Sequence, residues 1–295
     1  MSLRLWIQAS RPKTLTAAAA PVLMGVALAV FRDSFAPLPA LAALVGALLI
    51  QVGTNFANDY YDFVRGGDDA DRVGPTRVTQ AGLIAPLAVR RAALLTFAAA
   101  VVLGIYLVAV GGRPILVIGI LSVLAGWAYT GGPFPLAYNG LGDVFVLIFF
   151  GPVAVAGTYW VQALEMRPEL LLAGFGIGAL NTAILAANNL RDLESDRRAG
   201  KRTLPVLLGR GAGRIEYTAL VAIAFLTVPV GVRVYGWSVL SLACLLALPP
   251  VVAALRLLLT SEDAKALVPA LPLTARAAGM YGLFFAVGLM LGRLW

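Results

Sequence analysis

The chain has 295 residues, 60% of them hydrophobic and only 13% charged, with a mean hydropathy of +0.87; this balance excludes an ordinary soluble globular protein and makes lipid its solvent. It contains no histidine and a single cysteine, which excludes an internal disulfide, a thiolate metal cluster and imidazole chemistry, so any metal should be a hard ion bound by oxygen. The net charge of +8 does not imply a nucleic-acid partner, because the cations sit in short breaks between apolar runs rather than on one soluble face.

Nine stretches are long and apolar enough to be spanning helices. The first, 14–31, follows Arg11-Pro12-Lys13; the next apolar run begins within a few residues, so it reads as a retained span and not as a cleaved signal peptide. The second, 38–57, leads into a polar loop rich in Asn, Asp, Tyr and Arg. Spans 89–110 and 114–130 come next, with Arg90 and Arg91 as topological anchors. The stretch from Tyr129 to Asp143 is rich in Gly and Pro and has almost no charge; it reads as a shaped turn, either the wall of a pocket or a plain connection into span 140–161. Span 169–190 carries Asn181 at mid-helix, expected to bond to a neighbouring helix, and ends in a second polar loop. Spans 215–234, 237–257 and 276–295 complete the set. Within them Cys244 is a small packing residue, and Trp6, Trp160, Trp237 and Trp295, all near span ends, read as an interfacial belt. The expected fold is an all-α polytopic membrane protein, a single domain over 1–295.

With the N-terminus in the cytosol, every Lys and Arg except Arg32, Arg113, Arg167, Arg233 and Arg293 falls on the cytosolic side, as the positive-inside rule requires. The acids follow, although that rule gives them no reason to. All except Asp33, Glu165 and Glu169 lie on the same side, most of them in two loops.

Those two loops match. One reads Asn55-Phe-Ala-Asn58-Asp59-Tyr-Tyr-Asp62-Phe-Val-Arg-Gly66 and the other Asn189-Leu-Arg-Asp192-Leu-Glu-Ser-Asp196-Arg-Arg-Ala-Gly200. Both fit Asn-x2-[Asn/Asp]-x3-Asp-x3-Gly, which suggests an internal repeat. If each helix continues past its membrane end, Asn58 with Asp62, and Asp192 with Asp196, project into one shared space. Such acids repel one another unless a cation lies among them, and Mg2+ is held by one or two carboxylates together with phosphate oxygens. Asp59, Asp68 and Asp69 are further candidate ligands. The plainer alternative is a pair of solvated loops with Asn and Asp in turn roles.

Arg65, Arg72 and Arg77 interleave the first loop, and Arg191, Arg197, Arg198, Lys201 and Arg202 the second. Acids to hold metal and cations to hold phosphate describe a diphosphate site, with Lys201 and Arg202 foremost. Beside apolar walls, such a site suits ionisation of an allylic diphosphate. The allylic cation would be shielded by aromatic faces, with Phe56, Tyr60, Tyr61, Trp127, Tyr129 and Tyr138 as candidates.

At these residues the sequence resembles the UbiA-type intramembrane prenyltransferases, and among them the branch that acts on 1,4-dihydroxy-2-naphthoate. The resemblance runs almost end to end. It includes Arg11-Pro12-Lys13-Thr14, Asn58-Asp59-Tyr-Tyr-Asp62 with Gly66 and Asp68, and Gly74-Pro75-Thr-Arg77-Val-Thr79-Gln80. It continues through Tyr129-Thr-Gly-Gly-Pro133, Gly140-Leu-Gly-Asp143, Asn188-Asn189-Leu-Arg191-Asp192, Asp196 and Gly200-Lys201-Arg202-Thr203-Leu204. Gly66 stands where the wider family has a third Asp, and the acid falls two residues later at Asp68; Asp143 stands where many relatives have Glu.

The resemblance implies a nine-transmembrane-helix bundle with a cytosolic-facing active-site cavity that also opens to lipid, in the inner (plasma) membrane. It implies Mg2+ as cofactor, with Asp59, Asp62, Asp68, Asp192 and Asp196 on the metal side and Asn58 and Asn189 as neutral oxygen ligands. Arg77, Lys201 and Arg202 would hold the diphosphate of a polyprenyl diphosphate, while Arg11, Lys13 and Gln80 approach the acceptor. Asp62, Asp192, Asp196 and Lys201 would carry catalysis. The acceptor carbon bearing the carboxylate would take the prenyl group and lose carbon dioxide, giving demethylmenaquinol. Rival readings are another aromatic acceptor such as 4-hydroxybenzoate, homogentisate or a porphyrin derivative, a secondary transporter, and an assembly subunit.

Overall fold

Four of the long helices begin with proline, where the missing N–H costs nothing and the fixed φ pre-sets the first turn. The computed structural model describes residues 2–66, 73–74 and 76–293; Asp68, Asp69, Asp71, Arg72 and Trp295 lie outside them. In chain order come α1 (Leu3–Ser10), α2 (Pro12–Phe31), α3 (Pro37–Val64), α4 (Pro86–Ala128), α5 (Gly142–Ile148), α6 (Ala154–Ala163), α7 (Pro168–Arg191), α8 (Leu193–Arg198) and α9 (Leu204–Leu208). After these come α10 (Arg210–Tyr235), α11 (Leu248–Thr260), α12 (Ala264–Leu267) and α13 (Ala270–Leu291). The described residues contain no strand. This all-helical solution is the one that satisfies backbone polar groups within each segment when water is absent.

Eight helices among the described residues are long and apolar enough to cross a membrane, against nine expected. The difference lies in α4. As an unbroken helix its 43 residues would run about 65 Å, twice the hydrocarbon core of a bilayer. It breaks instead at Gly112, whose φ of 68° and ψ of −155° belong to a region that only glycine enters readily. The expected spans 89–110 and 114–130 therefore meet at this kink, with no loop between them. Span 140–161 is also interrupted, at Gly151 and Pro152 between α5 and α6.

The centre of the bundle is α7. Leu170, Ile177, Leu180 and Ala183 are fully buried, and its glycines let other backbones approach. A Cβ on Gly178 would lie 2.5 Å from the Leu147 carbonyl oxygen, and one on Gly174 2.5 Å from the Cα of Pro152, so both positions are closed to any side chain. Asn181 donates from Nδ2 to the Phe150 and Ala17 carbonyls, each at 3.0 Å. Ala17 lies one turn before Pro21, whose missing N–H leaves that carbonyl without its helical donor. The expected interhelical bond is thus a repair of broken helix ladders. By contrast α4 faces outward, with Val102 68% and Ile105 66% exposed.

At the opposite end of α7 from its acidic motif, Glu169 is gripped by Arg32 through Nε at 2.8 Å and Nη2 at 2.9 Å, and by the Trp237 indole at 2.7 Å. Trp237 is buried, so it is no part of an interfacial belt. Its N–H is needed by the Glu169 carboxylate.

Candidate active site

The first motif occupies the last turns of α3, which runs unbroken to Val64. Asn58, Asp59 and Asp62 are all buried, and each is met by a residue far along the chain. Thr130 donates to Asn58 Oδ1 at 2.8 Å. The Thr79 hydroxyl donates to Asp59 Oδ2 at 2.9 Å, while Asp59 Oδ1 is buried with no hydrogen-bond partner. Asp62 receives Tyr138 OH on Oδ1 at 3.0 Å and Arg77 Nη2 on Oδ2 at 3.4 Å. Gly66 closes the motif with a φ of 69°.

The second motif starts at the end of α7 but does not stay in one helix. The chain leaves helical geometry at Asp192 (φ −91°, ψ 11°) and resumes in α8, so the expectation of a continuous helix is corrected here. The Asp192 N–H donates to the Asn188 carbonyl at 2.9 Å and the Asp196 N–H to the Asp192 carbonyl at 2.8 Å, which keeps the two acids a turn apart. Gly200 closes this motif with a φ of 71°, the same left-handed turn as Gly66; the shared glycine of the pattern is a backbone requirement.

Asp192 is gripped by its own neighbour. Arg191 donates to both carboxylate oxygens at 2.6 Å and to Asn188 Oδ1 at 2.8 Å. Asp196 pairs with Lys201 at 3.3 Å. Burial raises the Asp196 carboxyl from its ordinary value; Lys201 opposes the rise, and Asp192 and Asp62 add to it. The carboxylates of the two motifs therefore feel one another across the site. Asn189 donates to Asp143 at 3.4 Å.

Tyr138 joins the halves. Its hydroxyl reaches Asp62, Lys201 Nζ lies 5.1 Å from its ring centroid and the Arg65 guanidinium 5.7 Å. Its carbonyl accepts the Arg202 N–H at 3.0 Å. The Gly- and Pro-rich stretch is thus a wall between the motifs and not a plain connection. A Cβ on Gly140 would lie 2.9 Å from the Arg202 carbonyl oxygen, so that glycine permits the close approach.

Arg11 turns the corner between α1 and α2 in a left-handed conformation, φ 52° and ψ 68°, and acts electrostatically on Asp59. Gln80 is half-buried next to Thr79, while Lys13 and Arg202 are exposed. Of the aromatic candidates, Tyr129 and Tyr138 belong to the site. Tyr61 packs edge-on against Tyr60 and Trp127, and Phe56 against Trp6, so these four serve the contact between α1, α3 and α4.

A cavity of about 530 Å³ adjoins this polar centre. Its wall is apolar apart from Gln51, Thr54, Ser122, Tyr129 and Thr158. Tyr129 is shared, since it feels Asp143, Asp62 and Asp196 as well. Val101, Ile105, Ile120 and Leu124 of α4 line the cavity and are also half or more exposed, so its outer side faces the surroundings of the bundle.

Among the described residues no three acidic side chains form a ready-made metal cage. The donors are nevertheless all hard oxygens, and Asp59 Oδ1 lacks a partner. This chemistry fits Mg2+, which draws most of its ligands from water and phosphate. Sequence reasoning assigned no role to Thr79 and Thr130, which hold Asp59 and Asn58. Thr79 follows Arg77 by two residues, and that proximity to a candidate phosphate ligand was the available signal.

Fold and site together define a helical membrane enzyme with a charged, buried centre at the mouth of an apolar cavity. The chain belongs to the UbiA prenyltransferase family, which matches residues 18–270. It is 38% identical to the 1,4-dihydroxy-2-naphthoate octaprenyltransferase of Escherichia coli (strain K12), covering 98% of this chain and 96% of that protein. It is 37% identical to the enzyme of the same name from Mycobacterium tuberculosis, covering 98% of each. A solved structure of a UbiA homolog from Archaeoglobus fulgidus bound to GPP and Mg2+ superposes with a TM-score of 0.65 at 15% identity, over 95% of this chain and 99% of that one.

Proposed function

We propose that the chain transfers a polyprenyl group from a polyprenyl diphosphate to 1,4-dihydroxy-2-naphthoate, with Mg2+ and with loss of carbon dioxide, to give demethylmenaquinol. The observation that carries this reading is the junction at Tyr129 and Tyr138, where two buried acidic motifs and their cations meet an apolar cavity. The acceptor is supported by full-length similarity to two naphthoate octaprenyltransferases.

Asp62 and Asp196, with Asp59, Asp192, Asn58 and Asn189 nearby, are the residues that would hold Mg2+; Asp68 lies outside the described residues. When bound, Mg2+ neutralises diphosphate charge and makes it a better leaving group. Lys201, Arg77 and Arg202 take the remaining charge of the diphosphate as the allylic C–O bond breaks and the electron pair departs with it. The cavity receives the tail and excludes water from the allylic cation, with the Tyr129 and Tyr138 faces beside it. The ring carbon bearing the carboxylate forms the new C–C bond. Its bond to the carboxylate then breaks, the electrons stay in the ring, and aromaticity returns without transfer of a proton to the protein. A chain with no histidine can run this reaction.

Charge asymmetry supports a cytosolic N-terminus and, since both motifs fall on the same side as most of the cations, a cytosolic active site; the reading also takes the chain as one domain over 1–295 in the inner (plasma) membrane. The test is turnover by purified protein with a radiolabelled polyprenyl diphosphate and 1,4-dihydroxy-2-naphthoate, with and without Mg2+. The expected outcome is a metal-dependent, prenylated and decarboxylated product. Product with 4-hydroxybenzoate but none with the naphthoate would discard the acceptor.

A further inference from the structure

Gln51, Asn55, Asn58 and Asp62 recur at helical spacing, so one face of α3 stays polar from the motif down into the membrane. Gln51 lies about 10 Å along the axis from Asn58. It is only 8% exposed, it lines the apolar cavity beside Thr54 and Tyr129, and its carbonyl oxygen Oε1 has no hydrogen-bond partner. Its Nε2 is held in place by Thr14 Oγ1 at 3.4 Å and Asn55 Oδ1 at 3.3 Å, and Thr14 itself donates to the Arg11 carbonyl at 2.9 Å. The amide nitrogen is therefore anchored to the corner that carries Arg11, and the oxygen is left over. A buried acceptor without a donor is costly, and a prenyl tail sliding past it offers none.

We infer that Gln51 Oε1 is the subsite for a phenolic hydroxyl of the aromatic acceptor. With the acceptor's carboxylate toward Arg11, the hydroxyl remote from that carboxylate reaches Gln51. The subsite would set specificity for dihydroxylated rings over monohydroxylated ones, since a site built to pair with a hydroxyl discriminates against a ligand that lacks it. The inference rests on the naphthoate reading above and deepens it.

The test compares 1,4-dihydroxy-2-naphthoate with 1-hydroxy-2-naphthoate, which lacks the remote hydroxyl, as competitors for the site in wild type, Gln51→Ala and Gln51→Met. Wild type should favour the dihydroxy acid by about tenfold, the worth of one good hydrogen bond. Both variants should bind the two acids alike. Because the readout is a ratio on one protein, loss of folded material cancels, and Gln51→Met keeps the side-chain length. Equal affinities in wild type, or an undiminished preference in both variants, would overturn the subsite alone. Wild-type protein that turns over no naphthoate would overturn the acceptor reading and the subsite with it.

Discussion

In the first motif α3 runs straight through Asn55, Asn58 and Asp62, and its acids are met by Thr79, Arg77 and Tyr138 from distant parts of the chain. In the second the helix ends at Arg191, and the acids are met by their own neighbours, Arg191 and Lys201. The spacing is the same and the support is opposite. A continuous helix fixes where its side chains point but brings no cations of its own, so the first set is complete only when the segments around residues 77 and 138 are in place. A broken helix frees its end to fold back, and the second set assembles from eleven consecutive residues, Arg191 to Lys201.

The largest expected effect puts the two motifs on equal footing. Asp62→Ala and Asp196→Ala should each lower kcat by about a thousandfold, with the protein still purifying as a folded helical bundle by circular dichroism. Wild-type turnover in either variant would end the case for a shared charged centre. A smaller loss should mark the local support of the second motif. Lys201→Met removes the partner of Asp196 and a phosphate contact, so kcat/KM for the prenyl diphosphate should drop about 30-fold, through kcat as well as KM. The smallest should mark the remote support of the first. Tyr138→Phe loses one hydrogen bond to Asp62 and keeps the ring beside Lys201, so turnover should fall about fivefold; a loss as large as that of Asp62→Ala would mean that Tyr138 does more than hold the carboxylate.

Much of this comparison is legible in the sequence, and the part that is not has physical causes. The repeated spacing locates both motifs, and Gly66 and Gly200 share a left-handed backbone that explains why the pattern ends in glycine. The long apolar runs locate the spans, although α3 continues to Val64, past the expected end at 57, and α13 begins at Ala270, before the expected 276. What escapes is pairing across the chain. Nothing local ties Thr79 to Asp59, which lies 20 positions away, or Thr130 to Asn58, at a separation of 72. The break at Asp192 escapes as well, because an Arg-Asp pair at adjacent positions is compatible with a continuing helix. Gly112 reads as a loop glycine between two spans, and only the backbone turn it makes shows that no loop is needed. Trp237 misleads because an aromatic near a span end is usually an anchor in lipid, whereas here it has a buried carboxylate to satisfy.

The grip on Glu169 has a consequence for the making of the protein. Arg32 and Glu169 are 137 positions apart, and Trp237 follows Glu169 by 68 more. During synthesis the arginine reaches the bilayer early and waits, its charge unmatched, until nearly half of the chain has followed. The carboxylate then arrives but lacks its third donor until the segment after α10 emerges. Each arrival supplies a partner to a group at that end of the bundle, so the late helices complete a contact that the early ones begin. A chain cut short before Trp237 would carry an incompletely paired ionic group, a visible mark of an unfinished molecule to whatever surveys the membrane.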